Sequence, residues 1–426
     1  MQRIDITVGI LSVPKLNFSL KGIYSTSGEA VVTGRQEVSV SESGLGVVWQ
    51  GQLYPTLIFT PTSYDGDSFE LEGVTIGVDF HWQRQENQSF RGALKIIAKD
   101  GLLTAINIID IEDYLVSVIS SEMRSTSSVN LLRAHAVISR SWAMSRIMGR
   151  KGCESGYRKP GEIIRWWGQE DHEGFDVCAD DHCQRYQGLA RISPTAAGAV
   201  EDTRGQLLTY HGELCDARFS KCCGGVFEEF EACWEDEHKP YLVARRDAVN
   251  PLDFPDLTDE QTARKWITSS PEAFCNTTDE RVLTQVLNNY DREQTDFYRW
   301  RVEYTSEYLG DLIRRRLGED LGEISDIIPV ERGKSGRIIK LKIKGSKAEI
   351  IIGKELLIRR TLSESHLRSS AFVVDKSDTG FILTGAGWGH GVGLCQIGAA
   401  VMADRGYDYR EILSRYYPGS EIQSHI

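Results

Sequence analysis

The stretch LLRAHAVISRSWAM at 131–144 lies within a predicted helix over about 129–149 that is apolar on most sides. A helix without a polar face has no solvent side, so it belongs at the centre of the fold with other elements packed round it. The rest of the sequence has to supply that cover. Residues 1–109 offer strands: EAVVTG, EVSVSE, GVVWQG and LTAINII alternate apolar and polar residues between Gly, Asp and Ser breaks, the pattern of short antiparallel strands. Between strands and central helix, Asp110 reads as an N-cap with Asp113 as its capping-box acid. Ile111, Leu115, Val118 and Ile119 then form one apolar helical stripe. Ser127 or Ser128 is expected to cap the central helix.

Further on, residues 152–190 read as loop, dense in His, Cys, Trp and Asp, and strands return across 199–245. Residues 250–298 are polar and weakly patterned, as in a helical insertion. VERGKSGRIIKLKIKGSKAEIIIG at 330–353 reads as a hairpin pair turning at GKSG and KGSK. A helix over about 393–404 stops at Gly406. Asp408 caps another, with Glu411 at its third position, and Pro418-Gly419 ends it. The class is α+β: an antiparallel β-rich N-terminal part, central buried helices forming a groove, and a C-terminal Gly-rich loop with two helices. It is one extended unit, softly divided into a β-rich region 1–94, a core 95–249, a polar insertion 250–300 and a C-terminal part 301–426.

Hydrophobic content of 41% in 426 residues is enough for a sizeable core. A net charge of −12 argues against nucleic acid as the general partner, because phosphate binding needs a basic face. No run approaches the roughly 18 apolar residues of a transmembrane segment. The first residues, MQRIDITVGILSV, carry Asp5 among alternating apolar residues and read as a strand, not as the apolar core of a signal peptide. That favours a cytoplasmic protein, or a mature form with an added Met. Nine cysteines leave at least one outside any intrachain disulfide and do not fix the compartment.

Several groups carry possible chemistry. In GAGWGHGVGLCQIGA, 385–399, six glycines surround Trp388, His390 and Gln396, so backbone can come close to a ligand; a tight turn without a ligand has the same composition. Glu122 ends the first predicted helix at the negative pole of its macrodipole, where a partly buried carboxyl resists ionising, as a general acid must. Arg133 and Arg140, seven apart on one helix face, join Arg124 near Glu122 as a locally basic groove for an acidic ligand. In HEGFDVCADDHCQ, His172, Cys178, His182 and Cys183 fall within twelve positions. Thiolates and imidazoles at this spacing suit tetrahedral zinc, and a pair of structural cysteines beside two solvent histidines is the other reading. Cys215, Cys222, Cys223 and Cys233 form a second group. A nucleophilic cysteine needs a paired base, none is assigned by spacing, and the group reads as buried structural thiols. Trp166, Trp167 and Trp388 suit either sugar stacking or the core.

The chain resembles the SpoIID/LytB family, and the resemblance runs through blocks in family order from about residue 95 to the C-terminus. IEDYLVSVISSEM at 111–123 is similar to the stretch with the family's catalytic glutamate, and 131–144 to the helix that follows. TRGQLLTYHGELCDARFSKCCGG at 203–225 resembles its central Gly-rich hairpin, PYLVARRD at 240–247 the segment closing it, and 385–399 with YYPG at 416–419 its C-terminal signature. This implies a lytic transglycosylase that cleaves between N-acetylmuramic acid and N-acetylglucosamine in peptidoglycan, leaving 1,6-anhydro-N-acetylmuramic acid, on strands or fragments lacking stem peptides. Glu122 is then the catalytic residue, with Arg124, Arg133, Arg140, Trp388, His390 and Gln396 on the substrate, and a closed structural zinc on His172, Cys178, His182 and Cys183.

Ordinary glycosidases pair two carboxylates, whereas a lytic transglycosylase needs one, and Glu112 and Asp113 lie about a helix length from Glu122. The LytB side of the family implies the alternative of a non-catalytic glycan-binding enhancer of a peptidoglycan amidase. Family membership also implies the cell envelope or periplasm. The family usually has Pro at the position of Arg124, Lys at Arg133, Gln at His135, and Ser where Cys222 and Cys223 precede Gly-Gly.

Overall fold

Apolar–polar alternation along residues 5–110 buries Phe18, Leu20, Leu57, Phe59, Phe69, Leu71, Leu94, Ile96 and Leu103 on one side of a continuous sheet. The computed structural model describes residues 3–26, 31–77, 83–149, 155–167, 172–180, 182–287 and 296–424. Its largest sheet has eleven strands. Nine follow in the order 177–178, 5–13, 102–110, 93–99, 56–61, 15–26, 31–40, 47–49 and 52–54, and 68–76 with 84–90 attach to 15–26. Pairing is antiparallel except at one edge, where 177–178 joins in parallel with Val8 opposite Val177 and Gly9 opposite Cys178. The candidate metal loop is thereby fixed to the first strand. The boundary expected at 94/95 falls inside the strand Ala93–Lys99, so the N-terminal region and the core share one sheet.

Helix α1, Ile111–Glu122, continues directly from the strand ending at Asp110. Asp110 is its N-cap, with the side chain accepting from the N–H of Glu112 at 2.9 Å. Asp113 does not complete a capping box. Its carboxylate is taken by the Tyr64 hydroxyl at 2.7 Å and by Arg91 at 3.1 Å, which pin the helix start to the large sheet. Helix α2, Val129–Met148, begins after Ser128, whose side chain caps nothing. Gln285 caps in its place: its Oε1 accepts the Ser128 N–H at 2.8 Å and its carbonyl accepts the Ser127 hydroxyl at 2.9 Å.

From Leu131 to Ala143 every residue of α2 except Arg133 is buried. Its neighbours are α1, α3 (Pro194–Asp202), the strand 206–210, and two helices near the C-terminus. Between them come α4 (Phe230–Cys233), α5 (Glu260–Thr268), α6 (Glu280–Val286), α7 (Ser306–Leu317) and α8 (Glu355–Thr361). The two near the C-terminus are α9 (Gln396–Asp404) and α10 (Tyr409–Tyr416). Asp408 and Glu411 make the expected capping box on α10.

A second sheet of five strands, ordered 156–159, 162–165, 349–353, 338–345 and 324–332, contains the expected hairpin pair. With α7 and α8 it encloses a separate apolar core that includes Leu309, Ile313, Ile338, Leu341, Ile352 and Ile358. The class is α+β, with a β-rich N-terminal region and with α1, α3, α9 and α10 gathered round α2. The cleft described next is walled by elements from both cores.

Candidate functional site

Glu122 stands at the last position of α1, where the next residue, Met123, is extended and the helix stops. It borders a cleft of about 770 Å³. The lining also comes from the loop 172–185, the segment 218–221, the end of α4, α8 with the residues after it, and the Gly-rich loop. Trp388, His390 and Gln396 line this cleft, as do His172, Cys178, His182 and Cys183. Residues far apart in sequence therefore line one cleft.

The three arginines expected there lie elsewhere. Arg140 is 2% exposed and makes a two-pronged ion pair with Glu112, Nε to Oε1 at 2.9 Å and Nη2 to Oε2 at 2.7 Å. It also donates to the carbonyls of Val200 and Gln206. Its reach is toward the start of α1, away from Glu122, because the close-packed centre leaves it one acidic partner. Arg133, on the half-buried edge of the same helix, pairs with Asp202 at 2.6 Å. Arg124 sits beyond the helix end with its backbone N–H on Gln285, and does not line the cleft. The cleft's cations are Arg185, Arg218, Lys221, Arg359, Arg360 and Arg368, against the carboxyls of Glu122, Asp180 and Glu355. An acidic chain thus has a locally basic cleft. Arg218 and Lys221 lie in the hairpin block already conspicuous in the sequence, whereas the arginines after 353 carried no motif.

Aromatic rings floor the cleft. Trp167 and Trp388 line it, Trp166 does not, and Trp142 and Trp234 join them. Arg218 lies 4.1 Å over the Trp234 ring and bonds Asp216 at 2.8 Å. Arg360 lies 4.7 Å over Trp167. Such stacking fixes guanidinium and ring together as one flat surface. His390 packs edge-on against Trp234 at 4.9 Å, and its Nδ1 accepts the N–H of Val392 at 3.0 Å. Burial, together with the charges of Arg218, Arg337 and Arg359, pushes its pKa well below the usual value. His390 is therefore a neutral imidazole whose proton is on Nε2.

The glycines of the C-terminal loop serve a backbone-to-backbone approach. Cys222 and Trp388 exchange N–H···O bonds of 3.0 and 2.7 Å, which join the loop to the hairpin. Gly387 has φ +79°, and a Cβ there would lie 2.8 Å from the Cys222 carbonyl oxygen. No side chain fits that position, and the closeness is what presents Trp388 to the cleft.

In the loop 172–183, the donor atoms of His172, Cys178, His182 and Cys183 all lie within 4.8 Å of one another. His172 Nε2 is 3.0 Å from the Cys183 sulfur, and His182 Nδ1 is 3.6 Å from it. Both cysteines are free thiols. Hydrogen bonding from Cys183, assisted by His172 and His182, holds the Cys178 thiol well below its ordinary pKa. Two imidazoles and two sulfurs, one of them readily ionised, are a donor set that fits a tetrahedral metal ion. This group abuts the carboxyl: the N–H of Arg185, two residues past Cys183, donates to Glu122 Oε1 at 3.4 Å.

One cleft thus combines a carboxyl group, several cations and aromatic rings. Residues 99–210 match the SpoIID family, described as stage II sporulation protein, and 228–393 match a domain of unknown function, DUF8618. The chain is 25% identical over 400 residues to an uncharacterized protein of Brachyspira hyodysenteriae, covering 94% of this chain and 84% of that one. It is 28% identical over 331 residues to the amidase enhancer of Bacillus subtilis, covering 73% of this chain but only 40% of that protein. Against stage II sporulation protein D of Bacillus amyloliquefaciens the identity is 24% over 332 residues, 75% of each chain. Residues 99–210 thus carry a SpoIID domain match, and the named SpoIID relatives are similar to about three quarters of the chain.

Proposed function

We propose that this protein is a peptidoglycan lytic transglycosylase acting on glycan strands or fragments that lack stem peptides. The observation that carries the reading is the placement of Glu122 at the edge of a basic, aromatic-floored cleft shared with Trp388, His390 and Gln396. Glu122 protonates the oxygen linking N-acetylmuramic acid to N-acetylglucosamine. Its carboxylate then takes the proton of the muramic acid's own primary hydroxyl, which attacks the anomeric carbon and closes the 1,6-anhydro ring. One carboxyl group serves as acid and then base, and no water is consumed. Arg218, Lys221, Arg359 and Arg360 supply positive charge for the lactyl carboxylates of the glycan, and half-buried Trp388 supplies a face for its rings.

His172, Cys178, His182 and Cys183 would hold zinc, which fills all four positions with protein ligands and braces the cleft wall. The second reading is a non-catalytic glycan-binding protein that stimulates a peptidoglycan amidase. It is favoured by the amidase enhancer of Bacillus subtilis among the relatives. Incubation with intact and denuded peptidoglycan, followed by mass spectrometry, separates the two. Anhydro-ended products from denuded glycan support the transglycosylase. No products, with faster release of stem peptides by an added amidase, support the enhancer.

A further inference from the structure

Behind the cleft wall a second group of side chains converges. The sulfurs of Cys223, Cys275 and Cys395 and a carboxylate oxygen of Asp247 lie within 4.8 Å of one another. All four residues are buried, Asp247 completely. They come from four separate segments: the hairpin after 219–220, the residue after 245–246, the connection before α6, and the N-cap of α9. Folding has gathered them from positions up to 172 residues apart.

Thiols alone would be ordinary core filling. A carboxyl group set among them is not, because a buried charge requires a compensating partner. Among the described residues no Lys or Arg pairs with Asp247. Its two oxygens are held instead by the Tyr416 hydroxyl at 2.8 Å and the Cys275 N–H at 2.9 Å, which orient it toward the sulfurs. Cys395 receives the N–H of Cys223 at 3.3 Å, and the Cys223 and Cys275 sulfurs are 3.6 Å apart. The Tyr416 hydroxyl on Asp247 is the kind of orienting outer contact that a metal-ligating carboxylate has. Helix α9 also keeps a glycine where the carboxylate approaches: a Cβ on Gly398 would lie 2.6 and 2.7 Å from the Asp247 oxygens.

We propose that Cys223, Asp247, Cys275 and Cys395 form a second zinc site, separate from the His172 cluster. Three sulfurs and one carboxylate oxygen favour zinc over harder cations, and four protein ligands in a closed pocket leave no position for a reacting molecule. The site joins the hairpin, the segment 245–275 and the start of α9. Lys221 and Gln396, one or two residues from its ligands, line the cleft, so the metal holds that wall from behind.

Metal counting on the intact protein tests this. Native mass spectrometry of chain purified without chelator should show about two zinc ions, and a His172→Ala/Cys178→Ser variant should keep about one. Cobalt placed in that variant should give the intense thiolate-to-metal absorption of a sulfur-rich tetrahedral site. Adding Cys223→Ser and Cys275→Ser should abolish both signals. If the first variant does not fold, the wild-type count decides: two zinc ions support the site, and one or none overturns it. A folded His172→Ala/Cys178→Ser protein without zinc, or a Cys223–Cys275 disulfide in protein purified without oxidant, also overturns it.

Discussion

The backbone N–H of Arg185 reaches Glu122 Oε1 at 3.4 Å, so the carboxyl at the end of α1 is steadied by the loop that carries His172, Cys178, His182 and Cys183. Glu122→Gln keeps the size of the side chain and this contact but removes the exchangeable proton. It is expected to lower glycan cleavage by about 10²–10⁴-fold, the range of general acid–base catalysis, with the melting temperature and glycan binding preserved. Release of anhydro-sugars at the wild-type rate would remove Glu122 from the mechanism.

Loss of metal from the same loop acts first on stability, because a closed site contributes folding energy. Removing the proposed zinc with a chelator, or replacing His172 by Ala, should lower the melting temperature before it slows cleavage, and restoring zinc to the chelated protein should recover the melting temperature. Thermal melts with metal analysis check this. A metal-free protein with an unchanged melting temperature would contradict it.

Arg140→Met separates core from site. The change leaves Glu112, 12% exposed at its side chain, without the guanidinium that now pairs with it. Breaking such a pair from one side costs about 3–5 kcal/mol, which urea unfolding will measure. The activity of the remaining folded fraction should stay within a few-fold of wild type. A loss of turnover at unchanged stability would return Arg140 to the substrate.

His135 is buried, with neither ring nitrogen hydrogen-bonded among the described residues, and its ring stands edge-on to Phe219 at 5.1 Å. Burial, with the Lys221 charge, lowers its pKa to about 3. Below the unfolded value of about 6.5 the unfolded chain takes a proton that the folded chain refuses. Its stabilising contribution is complete above that pH and falls by about 1.4 kcal/mol per pH unit as the pH drops toward 3. In His135→Gln this part of the slope should vanish between pH 6 and 4, whatever the variant's absolute stability. An unchanged slope would mean that His135 is not the group titrating.

The sequence made the architecture legible where periodicity and caps are local. The all-round apolar α2, the strands before it and the Asp408–Glu411 box follow directly from such patterns. The same local logic misread Asp113, because Tyr64 and Arg91, 49 and 22 residues away, claim its carboxylate. Of the expected site, Glu122, Trp388, His390, Gln396 and the four metal-binding candidates converge on one cleft, since each sits at a helix end, in a loop or, for Cys178, on a two-residue edge strand. The arginines of the Glu122 neighbourhood do not, because nearness in sequence does not decide which side of a packed helix a charge faces. The cleft's cations, and the Cys223 cluster behind it, are assembled from distant segments with no spacing to announce them.

In the proposed reaction Glu122 works without a water nucleophile, although Asp180 and Glu355 line the same cleft. Glu355 is buried and pairs with Arg359 at 3.3 Å, which engages it as a structural group. Cleavage of denuded glycan in oxygen-18 water tests the claim directly. Products should end in 1,6-anhydro-N-acetylmuramic acid and carry no heavy oxygen. Reducing ends that carry oxygen-18 would contradict it and assign a second carboxylate to the reaction.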